Sequence, residues 1–150
     1  LSTQGVIQRL PNRQKQSTAD AQQDRREESN MAKILVVDDS PTQLTNLVKI
    51  VQGEGHEVIT ATNGMEGIEK AREEKPDLIL MDVVMPELNG FQATRKITRD
   101  PATEQIPVIL VTTKDQETDK VWGQRQGAAG YIIKPPKEAE LIAKINEVLG

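Results

Sequence analysis

From Lys33 onward the chain alternates between short apolar runs and longer stretches in which apolar residues recur every three or four positions. The runs near 33–37, 57–61, 77–81, 107–111 and 130–133 read as strands. They are nearly continuous in Val, Ile and Leu, as expected of strands covered on both faces. The stretches between them read as helices. Leu44, Leu47, Val48 and Val51 keep the i, i+3, i+4, i+7 spacing, with Ser40-Pro41 as a start signal and Gly53 and Gly55 as the stop. A second helix follows Asn63-Gly64, carries Met65, Ile68 and Ala71 on its apolar face, and ends before Pro76. A third runs from about Asn89 to Arg99 with Phe91 and Ile97 inward. A fourth covers about Asp115 to Gln126, stopped by Gly127. The last, about Lys137 to Leu149, turns Leu141, Ile142, Ile145, Val148 and Leu149 inward. Five β–α units of this kind predict an α/β fold with a parallel sheet between two helical layers.

Four of the strand-like runs end in residues able to handle a phosphoryl group or a metal ion. Val36-Val37 leads into Asp38-Asp39, Leu80-Met81 into Asp82, Leu110-Val111 into Thr112-Thr113, and Ile132-Ile133 into Lys134-Pro135. In an open parallel sheet the carboxyl ends of the strands share one edge, where ligand sites form. Three carboxylates, a hydroxyl and an ammonium are thereby predicted at one pocket. Neighbouring carboxylates repel, and one would be driven towards protonation unless a cation compensates. Oxygen ligands without sulfur or clustered imidazole favour Mg²⁺, Mn²⁺ or Ca²⁺. Asp82 is the candidate nucleophile, because a carboxylate attacking a phosphoryl donor forms an acyl phosphate. Taken singly, each Asp reads as a helix cap or turn residue, and Thr112 and Lys134 read as structural. Only the set reverses that reading.

Composition narrows the classes. The absence of cysteine excludes disulfides and thiolate metal sites, and a single histidine, His56, excludes a histidine cluster. His56 itself reads as a plain strand-start residue. The net charge of −4 gives no pull towards nucleic acid. No apolar stretch approaches the roughly 20 residues of a membrane helix, so a cytoplasmic protein without membrane insertion is expected. Residues 1–30 are polar, with five basic and four acidic residues. They read as a disordered tail or upstream segment, with Met31 as the natural start and 31–150 as the folded domain.

The blocks Lys33-Ile34-Leu35-Val36-Val37-Asp38-Asp39-Ser40, Leu80-Met81-Asp82-Val83-Val84-Met85-Pro86, Val111-Thr112-Thr113 and Gly127 through Pro135 resemble the signature of CheY-like response-regulator receiver domains. The resemblance spans about Met31 to Gly150. It implies a doubly wound, flavodoxin-like five-stranded parallel sheet in order 2-1-3-4-5 with five helices. It implies Asp82 as phosphoacceptor for a histidine kinase. Mg²⁺ would be held by Asp39, Asp82 and the Val84 carbonyl, with Asp38 assisting through water. Thr112 and Lys134 would contact the phosphoryl group, and the Lys134–Pro135 peptide would be cis. Thr112 and Tyr131 would form the switch, reshaping the face of the fourth helix, fifth strand and fifth helix. That face offers Lys120, Trp122, Tyr131 and Ile133 as a partner surface, although Trp122 taken alone reads as packing. Val84 and Lys114 would tune phosphate lifetime towards slow to moderate hydrolysis, Lys114 by reaching over the phosphoryl group. Pro136 departs from the apolar residue common after Lys-Pro.

Asn89 to Arg95 and Val111 to Gly123 are similar to receivers of type IV pilus chemosensory systems. The expectation is a single-domain regulator in pilus-based motility or taxis. It would take phosphate from a CheA-like kinase, act as a monomer or weak dimer, and signal to a downstream motility protein by contact. The alternative is a phosphate sink or relay intermediate. An Asp-nucleophile phosphatase of the haloacid-dehalogenase type would need an acid where Val84 stands. A nucleotide-binding protein would need a G-x-x-x-x-G-K-[ST] loop, which the sequence lacks.

Overall fold

The computed structural model describes residues 31–150, so the reading of a polar tail over 1–30 lies outside the described residues. Within them the elements run β1 (Lys33–Val37), α1 (Pro41–Gly53), β2 (Glu57–Ala61), α2 (Gly64–Glu74), β3 (Leu78–Met81), α3 (Gly90–Arg99), β4 (Val108–Thr112), α4 (Glu117–Arg125), β5 (Gly130–Ile133) and α5 (Glu138–Leu149). All neighbouring strands are parallel and their order is β2-β1-β3-β4-β5. This is the doubly wound arrangement expected.

The continuous apolar strands divide their side chains between two cores by the period of two that a pleated strand imposes. Leu35, Val37, Ile79, Met81 and Leu110 pack with Ile68 and Ala71 of α2 and with Phe91 and Ile97 of α3. Ile34, Val36, Leu80, Ile109 and Val111 pack with Leu47 and Val51 of α1 and with Leu141 and Ile145 of α5. Each fully buried Leu or Ile contributes on the order of 2 kcal/mol. The three central strands are almost wholly buried and form a rigid base for the edge above them.

Inward assignments are adjusted on two helices. Met65 is exposed, because α2 approaches its neighbours through glycines instead. A Cβ on Gly64 would stand 2.7 Å from the Leu88 carbonyl oxygen, and one on Gly67 would stand 3.0 Å from a Val37 methyl. That close face rotates Met65 outward. Ile142, Val148 and Leu149 are only half-buried on α5. The fourth helix also begins two residues later than Asp115. Asp119 accepts from the Gln116 N–H at 3.2 Å, and both ends of the Lys114 peptide are already engaged elsewhere.

Candidate functional site

The site is assembled by strand register. Val37 is level with Met81, so Asp38 and Asp82 emerge side by side one residue beyond. Their backbones stay tied to the sheet: the Asp82 N–H donates to the Val37 carbonyl at 3.0 Å, and the Asp38 N–H to the Ala61 carbonyl at 3.1 Å. On the other side Met81 is level with Leu110 and Thr112 with Ile133. The Lys134 N–H then donates to the Thr112 carbonyl at 2.8 Å, which brings Lys134 to the same edge.

The acidic residues differ in how far they are engaged. Asp38 is fully buried. Its Oδ1 accepts the Ser40 N–H at 2.9 Å and its Oδ2 accepts the Lys134 ammonium at 2.6 Å. Asp39 is exposed. Asp82 is buried but weakly held, with the Val84 N–H at 3.4 Å and the Lys134 ammonium at 3.6 Å from its Oδ1. Burial pushes the Asp82 carboxyl above its ordinary range. Lys134 pulls it back, Asp38 pushes it further up, and the Val84 and Val83 N–H groups lower it. One oxygen from each of Asp38, Asp39 and Asp82 lies within 4.8 Å of the others. Three hard oxygen donors at that spacing fit a small divalent cation that keeps part of its water shell.

Thr112 is fully buried, and its Oγ1 accepts the Lys114 N–H at 3.3 Å. The Tyr131 hydroxyl donates to the Lys114 carbonyl at 2.8 Å. The two residues expected to form a switch are therefore tied to opposite ends of one residue's main chain. Burial, with Asp119 and Asp115 nearby, pushes the Tyr131 phenol up to about 12. The Lys114 ammonium turns towards Asp119, 3.9 Å away on α4, because that carboxylate is its nearest counter-charge. Val84 is exposed at the mouth, and the Lys134–Pro135 peptide is cis as expected.

On α4, Trp122 is 49% exposed and Val121 42%, so the packing reading of Trp122 does not hold. Lys120, Gln124 and Tyr131 line a shallow groove beside them. Ile133 is half-buried at the end of β5. His56 is structural: its Nδ1 accepts the Ala32 N–H at 3.0 Å.

Two site residues escape sequence reasoning. Gln43, on the first turn of α1, accepts a hydrogen bond from the Lys134 ammonium through Oε1. The Ser40-Pro41 start signal was the clue, since it sets the first turn of α1 directly beside Asp38-Asp39. Gly90 opens α3 so close to the site that a Cβ there would lie 2.0 Å from the Asp82 carbonyl oxygen. Nothing in the sequence distinguishes that closeness from an ordinary helix-start glycine.

Residues 34–146 match the response regulator receiver domain. The chain belongs to the response-regulator receiver family. It is 60% identical over 119 residues to Protein PilH of Pseudomonas aeruginosa, covering 79% of this chain and 98% of that protein. It is 39% identical over 117 residues to the alkaline phosphatase synthesis transcriptional regulatory protein PhoP of Bacillus subtilis, covering 78% of this chain but 48% of that one. Among solved structures, the chemotaxis protein CheY4 of Vibrio cholerae superposes with a TM-score of 0.74 at 32% identity, over 79% of this chain and 98% of that one. The receiver domain of the Pseudomonas aeruginosa sensor histidine kinase PA1611 has a magnesium ion coordinated in its active-site cleft. It gives a TM-score of 0.74 at 29% identity, over 80% of this receiver and 98% of that chain.

Proposed function

We propose that this receiver accepts a phosphoryl group on Asp82 from a CheA-like histidine kinase and signals by protein contact in pilus-based motility or taxis. The observation that carries the chemistry is the carboxylate trio of Asp38, Asp39 and Asp82 with the Lys134 ammonium beside it. Asp82 is the buried member whose carboxylate is only weakly held, by the Val84 N–H at 3.4 Å and the Lys134 ammonium at 3.6 Å, which leaves it available to attack. Similarity to PilH supports the pilus setting. No helix among the described residues is long and apolar enough to cross a membrane, which is compatible with a cytoplasmic protein.

In the reaction, an Asp82 carboxylate oxygen attacks phosphorus on the kinase phosphohistidine. The new P–O bond forms as the P–N bond breaks, and the imidazole leaves with the electron pair and takes up a proton. Asp39, Asp82 and the Val84 carbonyl would hold Mg²⁺, with Asp38 acting through water. A bound cation would supply charge neutralisation at the phosphoryl oxygens, the dominant need in phosphoryl transfer. Lys134 adds its ammonium on the same oxygens, and the Thr112 hydroxyl donates a hydrogen bond to one of them. When Thr112 turns towards the phosphoryl group, the Lys114 N–H loses its acceptor. The Lys114 carbonyl, held by Tyr131, belongs to the same loop, and the α4–β5 face carrying Lys120, Trp122, Tyr131 and Ile133 responds.

The test is intact mass after incubation with Mg²⁺ and a small acyl phosphate. Wild type should gain one phosphoryl group only when Mg²⁺ is present, and Asp82→Asn should gain none. An equal adduct on the variant would remove Asp82 as the acceptor.

A further inference from the structure

Lys134 has three N–H donors and no acceptor of its own. One donor goes to Asp38 Oδ2 at 2.6 Å and one to Gln43 Oε1, while Asp82 Oδ1 lies at 3.6 Å, beyond hydrogen-bond length. Its side chain is only 6% exposed, so the ammonium depends on these partners instead of on water. Gln43 is the one uncharged acceptor among them. It reaches the site because α1 starts at Pro41 behind the Ser40 cap, whose Oγ accepts the Gln43 N–H at 3.4 Å.

We propose that Gln43 is a positioning residue for Lys134. By holding one donor it keeps the ammonium from closing into a full ion pair with Asp82. It also gives that ammonium a place to stay when a divalent cation takes over the carboxylates. This rests on the reading of the edge as a Mg²⁺-dependent phosphoacceptor site.

The physical reason is competition between two cations for one acidic cluster. Lys134 already occupies an oxygen of Asp38. An ammonium that remained there would repel a second positive charge only a few ångströms away. One that left without an acceptor would be a nearly buried charge with no partner, which is costly. The Gln43 carbonyl removes that dilemma without adding charge. Space for the shift is present. Gln43 and Lys134 line a recess of about 380 Å³ together with Thr42, Asn46, Pro135 and Pro136.

Calorimetric titration of the full chain with Mg²⁺ tests this in a double-mutant cycle of Gln43→Met, Lys134→Met and the pair. Gln43→Met keeps the length of the side chain and removes the carbonyl. It should weaken Mg²⁺ binding about three- to tenfold, the scale of one net hydrogen bond. In the Lys134→Met background the same change should do nothing. Gln43→Glu, which keeps the acceptor, should bind Mg²⁺ at least as well as wild type, and its advantage over Gln43→Met should shrink once Lys134 is gone. Wild-type affinity in Gln43→Met would overturn the inference. So would an equal loss in both backgrounds, which would mean a general effect on α1. No Mg²⁺ binding by wild type itself would remove the phosphoacceptor reading along with it.

Discussion

Asp82 carries a charge that its surroundings only partly support. Burial and the neighbouring Asp38 outweigh the help of Lys134 and two backbone N–H groups, so its carboxyl sits above the ordinary 3.8. A group whose folded-state value is raised binds its proton more tightly in the native state than in the unfolded one. Its contribution to stability is therefore fully present below the unfolded value and is lost as pH rises through the folded value. At neutral pH, without divalent cations, Asp82 is a cost to the fold. Asp82→Asn should be more stable than wild type at pH 7 in the presence of a chelator. The difference should shrink as the pH is lowered towards 4. Urea unfolding at both pH values measures it, and a variant less stable than wild type at pH 7 would show that the Lys134 pairing outweighs burial.

At the scale of elements, the β3–α3 loop fixes where Asp82 points. It closes on itself through the Gly90 N–H, which donates to the Val83 carbonyl at 2.9 Å, and α3 is then capped by the reciprocal Asn89–Gln92 pair at 2.9 Å each way. Gly90→Ala would push a methyl group into the Asp82 carbonyl. A loss of about 3 kcal/mol in urea unfolding is expected, at the upper end of ordinary overpacking. Phosphorylation of the folded fraction should slow as well, because the displaced backbone belongs to the acceptor itself. A neutral result would mean that α3 can slide away freely. The same loop shows what a sequence can disclose. The strand ends at Asp38, Asp82, Thr112 and Lys134 were legible because a run of apolar residues stops abruptly at each, and the buried sheet leaves no freedom of register. Gly90 was not legible as a contact, since its backbone needs no special dihedral, only proximity to a carbonyl eight residues back. Met65 misled because helical spacing fits it, while the actual inward face of α2 is made of Gly64, Gly67, Ile68 and Ala71. Lys114 has reach for two destinations, and in this structure its ammonium stands 3.9 Å from Asp119 on the next helix.

Across the described residues, one edge of the sheet carries the candidate site and one flank exposes Val121 and Trp122, joined by the main chain of the β4–α4 loop. Thr112 belongs to the buried side of that connection and Tyr131 to the outer side, both bound to Lys114. Next along the flank come Gly123, packed against the Tyr131 ring, and Trp122, half in solvent. Trp122 is the only tryptophan in the sequence, so its fluorescence reports on α4 alone. If phosphorylation of Asp82 turns Thr112 inward and frees the Lys114 N–H, the loop and the start of α4 must move, and the exposure of Trp122 with them. Wild type should therefore change its Trp emission when treated with acyl phosphate and Mg²⁺. Asp82→Asn should not change, and Thr112→Val, which keeps the acceptor but lacks the hydroxyl, should gain the phosphoryl mass with little change in emission. A full emission change in Thr112→Val would route the signal around the hydroxyl. A phosphorylated wild type with unchanged emission would mean that α4 stays in place and that output leaves the molecule from another face.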